Sequence, residues 1–196
     1  MRTVIKEFKV YKYEELSEKA REKVKENYRE NINPDDFTAD LIEDLKALGL
    51  SNLRPYYSLN YCQGDGLCLA GHIEFDEINE ELREIFYKDF LLSDYKLIKE
   101  LKKYSRIEFN HVGRYFNYNS VEIDIYIDGT LSSKKYKQTK KLTDKLIKNI
   151  KNWYVGICKE YEQWGYEYFY DVEDEHLKDF YESNEYEFLE DGTLFN

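Results

Sequence analysis

Leu142, Leu146, Ile150, Trp153, Ile157, Tyr161 and Trp164 follow one another at steps of four, four, three, four, four and three. A strand would scatter that spacing over both faces, whereas a helix of 3.6 residues per turn gathers it into one stripe. The spacing predicts a single helix over 133–164, roughly 45 Å long at 1.5 Å per residue. A small sheet needs less cover than that. Part of the helix is therefore expected to project, to bend near Gly156 or to pack on a partner.

Elsewhere the period changes. Val4, Phe8 and Val10 alternate and predict a strand over 3–11. Leu16, Ala20, Val24 and Tyr28 then form a helical stripe. Asn33, Pro34, Asp35 and Asp36 carry the capping and dipole signals of a second helix start, and Gly49 stops that helix. Residues 56–62 and 67–75 read as a hairpin around Gln63-Gly64-Asp65-Gly66. Two short helices are expected over 79–90 and 93–104, and strands over 106–112 and 121–128. Val121, Ile123, Ile125 and Ile127 make the cleanest buried face, and Asp128-Gly129 carries turn chemistry. A short helix over 172–183 and a strand over 185–189 close the chain. Strands and helices intermix without a βαβ rhythm. The class that follows is α+β: an antiparallel sheet of about four to six strands, helices mainly on one face, and a long C-terminal helix.

With 196 residues the chain is expected to form one domain, 1–196, with an acidic C-terminal segment, 159–196. Three cysteines are too few for a secreted disulfide framework. No stretch approaches the apolar length of a membrane span. The expected setting is a reducing cytoplasm, the expected cofactor none, and the expected partner another macromolecule and not a membrane. Twenty tyrosines supply wide amphipathic contact surface. The net charge of −11 is unevenly placed: Lys159–Asn196 holds thirteen acidic and two basic residues and so carries all of it. Directly before it, Lys134–Lys151 holds eight lysines and one acid, Asp144. Such asymmetry marks an interaction surface, while a solvated helix face explains the same pattern more plainly.

The sites that chemistry would need are weakly marked. Cys62, Cys68 and His72 offer zinc ligands, but the cysteine spacing is too wide for a usual pair. Cys68 and His72 would also stand roughly 13 Å apart along a strand. Small buried thiols in a sheet are the simpler reading. The Gln63–Gly66 loop lacks the phosphate-binding lysine and the dinucleotide glycine spacing, and Asp65 would repel phosphate. It reads as a turn in which Asp65 bonds its own backbone. On the polar sheet face His72, Glu74, Glu122 and Asp124 are candidates for a metal-assisted hydrolase, with Cys68, His72, Glu74 and Asp124 the alternative metal set. His111 shares parity with Ile107 and Phe109 and is expected in the core, and His176 at the surface. The lysine run has few interleaved aromatics and an acidic neighbour, which weighs against direct nucleic-acid binding.

Four stretches together, YKYEELSEKAREKV, YSLNYCQGDGLCLAG, HVGRYFNYNSVEIDI and NEYEFLEDG, resemble a family of small proteins from bacteriophages and other mobile elements. Its members share an ELS-x-x-A helix, a QGDG hairpin, a GRY strand and a terminal NEYEF-x-x-DG. Relatives often carry a histidine two positions after the GRY tyrosine, where this chain has Asn117. The resemblance implies a mobile-element origin, and some members look antitoxin-like. Joined to the charge map, it gives the expected function: a counter-defence protein such as an anti-CRISPR inhibitor. It would occlude a Cas nuclease or another host nucleic-acid-binding protein, in part by mimicking nucleic acid. The expected contacts are Glu160, Glu162, Glu167, Tyr168, Asp171, Glu173, Asp174, Glu175 and Asp179, with Tyr166, Phe169 and Tyr170 as further anchors. A hydrolase and an antitoxin-like partner of a toxin are the alternatives.

Overall fold

The computed structural model describes residues 2, 6–91, 94, 105–127 and 133–195. In chain order its elements are α1 (Glu18–Glu30), α2 (Pro34–Ala47), β1 (Leu53–Ser58), β2 (Gly66–Glu74), α3 (Glu80–Tyr87), β3 (Ser105–His111), β4 (Val121–Ile127), α4 (Ser133–Tyr170), α5 (Asp174–Ser183), β5 (Glu187–Phe188) and β6 (Leu194–Phe195). Strands β1 to β4 form an antiparallel sheet in sequence order, and β5 pairs with β6. This is the expected α+β class with its long C-terminal helix. The chain folds as two compact units, Met1–Pro34 with Tyr166–Asn196, and Asp35–Gly165. Among the described residues no helix is long and apolar enough to cross a membrane.

In the larger unit, period-two alternation puts Leu53, Leu67, Leu69, Ile73, Ile107, Phe109 and Ile123 in the core. Each such side chain contributes about 1.5–3 kcal/mol when removed from water. The helices cover that face through aromatic edges. Phe37 of α2 meets Tyr57 of β1 and Trp164 of α4; Phe86 of α3 meets Trp153; Phe109 of β3 meets Tyr154. The start of α3 is set by Asn79, whose side chain accepts a hydrogen bond from the Leu82 amide at 2.9 Å. Asn149 of α4 donates to the Phe86 carbonyl at 3.0 Å and so ties the two helices together.

Three expectations change here. β1 starts at Leu53 and ends at Ser58, so the link to β2 is longer than a tight turn. Val121 and Ile125 are only half-buried, because β4 ends the strand order and lacks a neighbour on one side. Tyr154 and Cys158, outside the seven-residue stripe, are fully buried. Apart from Asp94, which forms a turn with Leu91, the expected helix over 93–104 lies outside the described residues, as does the Asp128-Gly129 turn.

The smaller unit has its own core of Tyr13, Leu16, Ala20, Val24, Val172, Leu177, Tyr181 and Phe188. Ser17 caps α1 by accepting from the Ala20 amide at 3.3 Å. The strand expected over 3–11 does not form in its described part. Residues 6–10 take no regular structure, Phe8 is exposed, and of residues 6–11 only Tyr11 bridges to Phe188, through two backbone bonds of 2.9 Å. Val4 lies outside the described residues. The terminal strand is likewise shorter than expected, Glu187–Phe188.

Candidate functional site

The loop between β1 and β2, residues 59–65, is organised by one carboxylate. Asp65 Oδ2 accepts from the amides of Asn60 at 2.6 Å and Cys62 at 2.9 Å. Its Oδ1 accepts from the Ser58 hydroxyl at 3.0 Å and the Cys62 thiol at 3.1 Å. Burial works against the charged form, but the hydrogen bonds from Cys62, Asn60 and Ser58 outweigh it and hold the carboxyl well below the usual range. So Asp65 does bond its own backbone, and the acid is occupied internally. The loop lifts Tyr61, 69% exposed and in the left-handed region at φ 54°, into solvent.

A second loop, residues 112–120 between β3 and β4, packs onto the first. A side chain on Gly64 would strike the Tyr115 ring, and one on Gly66 would strike the Asn117 Cβ and the Phe116 carbonyl. This close approach is what the two glycines permit. The ring of Phe116 stacks on Tyr56 at 5.9 Å, and His111 Nε2 lies 3.1 Å from the Tyr115 carbonyl oxygen. Asn117 Oδ1 accepts from the Asn119 amide at 3.0 Å and the Ser120 hydroxyl at 3.3 Å. Asn117 is thus a cap for its own loop. His111 is exposed and not in the core, because parity gives burial only where a helix covers the strand, and this strand end runs into the rim.

The rim therefore presents Tyr56, Tyr61, Val112, Tyr115 and Phe116, all exposed. Helix α4 reaches it as well. Lys159 Nζ lies 5.4 Å from the Tyr118 ring centre. Glu162 is half-buried, and its carboxyl is pushed up, first by burial and then by the charge of Asp65, with Lys159 acting the other way. Sequence reading named the Gln63–Gly66 loop but missed its partners Tyr115, Phe116 and Asn117. The signal available was a pair of glycines flanking an acid, a backbone prepared for close approach.

The alternative chemistry is not assembled. His72 Nε2 is 3.6 Å from Glu74 Oε1 on one strand. Asp124 is two strands away, since His72 faces Glu108 and Glu108 faces Asp124; at 4.8 Å per strand that is about 10 Å. Cys68 is buried, and burial pushes its thiol up to about 11. The exposed Cys62 thiol is also raised, first by its hydrogen bond to Asp65, the reverse of an activated nucleophile. Among the described residues no three His, Cys, Asp or Glu side chains are grouped to hold a metal ion.

The expected acidic contacts are divided between the units. Glu160 and Glu162 belong to the larger one, where Glu160 is exposed and Glu162 leans on the rim. In the smaller unit Asp174 takes Lys25 at 3.3 Å, Arg21 at 3.9 Å and the Tyr13 hydroxyl at 3.2 Å, so it anchors the core. Glu167, Asp171, Glu173, Glu175 and Asp179 are exposed. Tyr166, Tyr168, Phe169 and Tyr170 are half-buried and form the ring pairs Tyr166–Tyr170 and Tyr168–Phe169. The exposed rings of this unit include Phe180 and Tyr186, 38% and 37% exposed.

Residues 35–174 match the family model described as a domain of unknown function (DUF8835). That stretch is well over half of the chain, and it contains both loops of the rim. No curated protein matches the chain, and no solved structure matches it. The chain belongs to the DUF8835 family.

Proposed function

We propose that this DUF8835 protein is a counter-defence factor of a bacteriophage or another mobile element, an anti-CRISPR-like inhibitor. It binds a host nucleic-acid-handling protein and occupies the basic channel that protein uses for nucleic acid. One observation carries the reading. Glu173, at the N-cap of α5, and Glu175 and Asp179, on its first two turns, stand exposed, and Phe180 follows directly, its ring 6.3 Å from that of Tyr186. Acids with adjoining aromatic anchors match a basic groove better than scattered surface charge does.

The ion pairs sharpen the surface. Lys23 holds Asp191 at 2.8 Å, Lys12 holds Glu187 at 3.7 Å, and Lys178 holds Glu14 at 2.7 Å. The exposed acids of this unit outside these pairs include Asp171, Glu173, Glu175 and Asp179. The attraction of such acids to a basic groove weakens as salt rises.

The test is infection. In a host whose CRISPR system targets a phage, expression of the chain should restore plaque formation. The triple reversal Glu173→Lys, Glu175→Lys, Asp179→Lys should remove that protection while the protein stays folded. No restoration against a panel of nuclease types, or full protection by the triple variant, ends this reading.

A further inference from the structure

We infer that the lysine face of α4 and the aromatic rim together form a binding track for single-stranded nucleic acid. Lys140, Lys141, Lys148, Lys151 and Lys159 are all exposed. At 3.6 residues per turn they fall within a sector of about 100°, spread over about 28 Å of helix. Asp144 is the one acid in that sector between Lys140 and Lys159. A face that served only solubility would mix signs, as i and i+4 pairs do. This face leads to the rim, since Lys159 sits over the Tyr118 ring.

At that end the chemistry changes from charge to aromatic planes. Tyr61 and Tyr115 are exposed, and Arg114, also exposed, lies 5.8 Å from the Tyr115 ring centre. The two loops that carry these rings are fixed by Asp65 and Asn117, so the backbone that presents them is set before a ligand arrives, and the rings settle on the bases. A cationic track ending in aromatic planes complements the phosphates and the exposed bases of a single strand. A duplex hides its base faces, and an acidic protein has none. Within the sequence, few aromatics interleave with the lysines. The fold supplies them from residues 59–65 and 112–120 instead. Between Lys140 and Lys159 the helix holds six lysines and one acid, and the acids Glu160 and Glu162 follow directly at the rim end. The track uses none of the acids assigned to the inhibitory surface.

The experiment is fluorescence anisotropy of the full chain with labelled single strands of roughly 15 nucleotides, oligo(dT) and oligo(U), a length that covers one platform. At about 50 mM salt both should bind in the micromolar range; a preference between them reports which backbone the track favours. Tyr61→Ala should weaken binding by about tenfold or more, whereas Tyr61→Phe, which keeps the ring, should bind like the parent. Joint Lys148→Gln, Lys151→Gln and Lys159→Gln should lower the slope of log affinity against log salt by about two. Thermal melting confirms that each variant is folded. Absence of binding, equal affinity for a duplex or for polyglutamate, or indifference to both sets of substitutions overturns the proposal.

Discussion

The phenol of Tyr154 closes the open side of Leu69. Its hydroxyl accepts from the Leu69 amide at 3.1 Å and donates to the Leu69 carbonyl at 3.0 Å, both bonds fully buried. β2 pairs with β3 only from Gly71 to Glu74, so at Leu69 the ladder has no further strand on that side. One side chain of α4 does the work of a missing strand. Tyr154→Phe keeps the ring against Phe109 but removes both bonds, leaving the Leu69 carbonyl unpaired and the Leu69 amide with only the weak Cys158 sulfur. The expected loss is about 2–4 kcal/mol, read from the urea midpoint of unfolding.

Buried phenols set the alkaline limit. Burial raises the pKa of Tyr13, Tyr87, Tyr154 and Tyr161, and that of Tyr181 to about 12. Asp174 and Asp44 add to the rise at Tyr13 and Tyr161. In the unfolded chain these groups release protons near pH 10, roughly the ordinary value. The folded state then holds more protons than the unfolded one. The phenols' contribution is full below about pH 10 and falls as pH climbs beyond it. Urea midpoints should decline from about pH 8.5, as the Cys68 and Cys158 thiols ionise in the unfolded chain, and more steeply above pH 10, with phenolate absorbance at 295 nm appearing together with unfolding. A midpoint that stays level at pH 11 contradicts the assignment.

The two glycines of the loop are not equivalent. Gly64 (φ 97°) faces a ring that can swing, while Gly66 (φ 151°) faces the Phe116 carbonyl and the root of the Asn117 side chain. Alanine is strained at both positions, by about 1–3 kcal/mol. Gly66→Ala should therefore cost more stability than Gly64→Ala, and should also loosen the 112–120 loop. Faster amide exchange at Val112 and Ser120, whose bonds hold that loop's base and cap, is the measurement that checks it.

Periodicity carried most of the fold and little of the site. The helix over 142–164 was legible because its stripe faces one continuous core, and β2 because Leu67, Leu69, Ile73 and Phe75 alternate against it. His111 obeyed the same parity and still came out exposed, since parity reports the side of a strand and not whether anything covers it. The described part of the 3–11 stripe failed for a related reason: alternation permits a strand, but pairing needs a neighbour, and among residues 6–11 only Tyr11 has one. The rim joins residues 59–65 to residues 112–120 through side-chain and glycine contacts across a sheet. No window of sequence contains both halves. Tyr154 shows the same limit, because its role depends on where β3 leaves β2.

Cys62 reports on Asp65. The thiol is exposed, donates to the carboxylate and is raised through that bond first, then by burial and by the carboxylate's charge. Burial also pushes Cys158 up to about 12, and it and Cys68 are shielded from reagent. In the native protein iodoacetamide at pH 8 should modify Cys62 alone, slowly for an exposed thiol. Asp65→Asn removes the charge and should speed that modification. It should also change the acid limb. The folded Asp65 pKa lies below the unfolded value of about 3.9, so its contribution is present above that pH and is lost as pH falls through the acid range. Asp65→Asn should start less stable at neutral pH and lose less on acidification. Equal thiol reactivity in parent and variant would show that the carboxylate does not hold the loop in solution, and the preset rim would go with it.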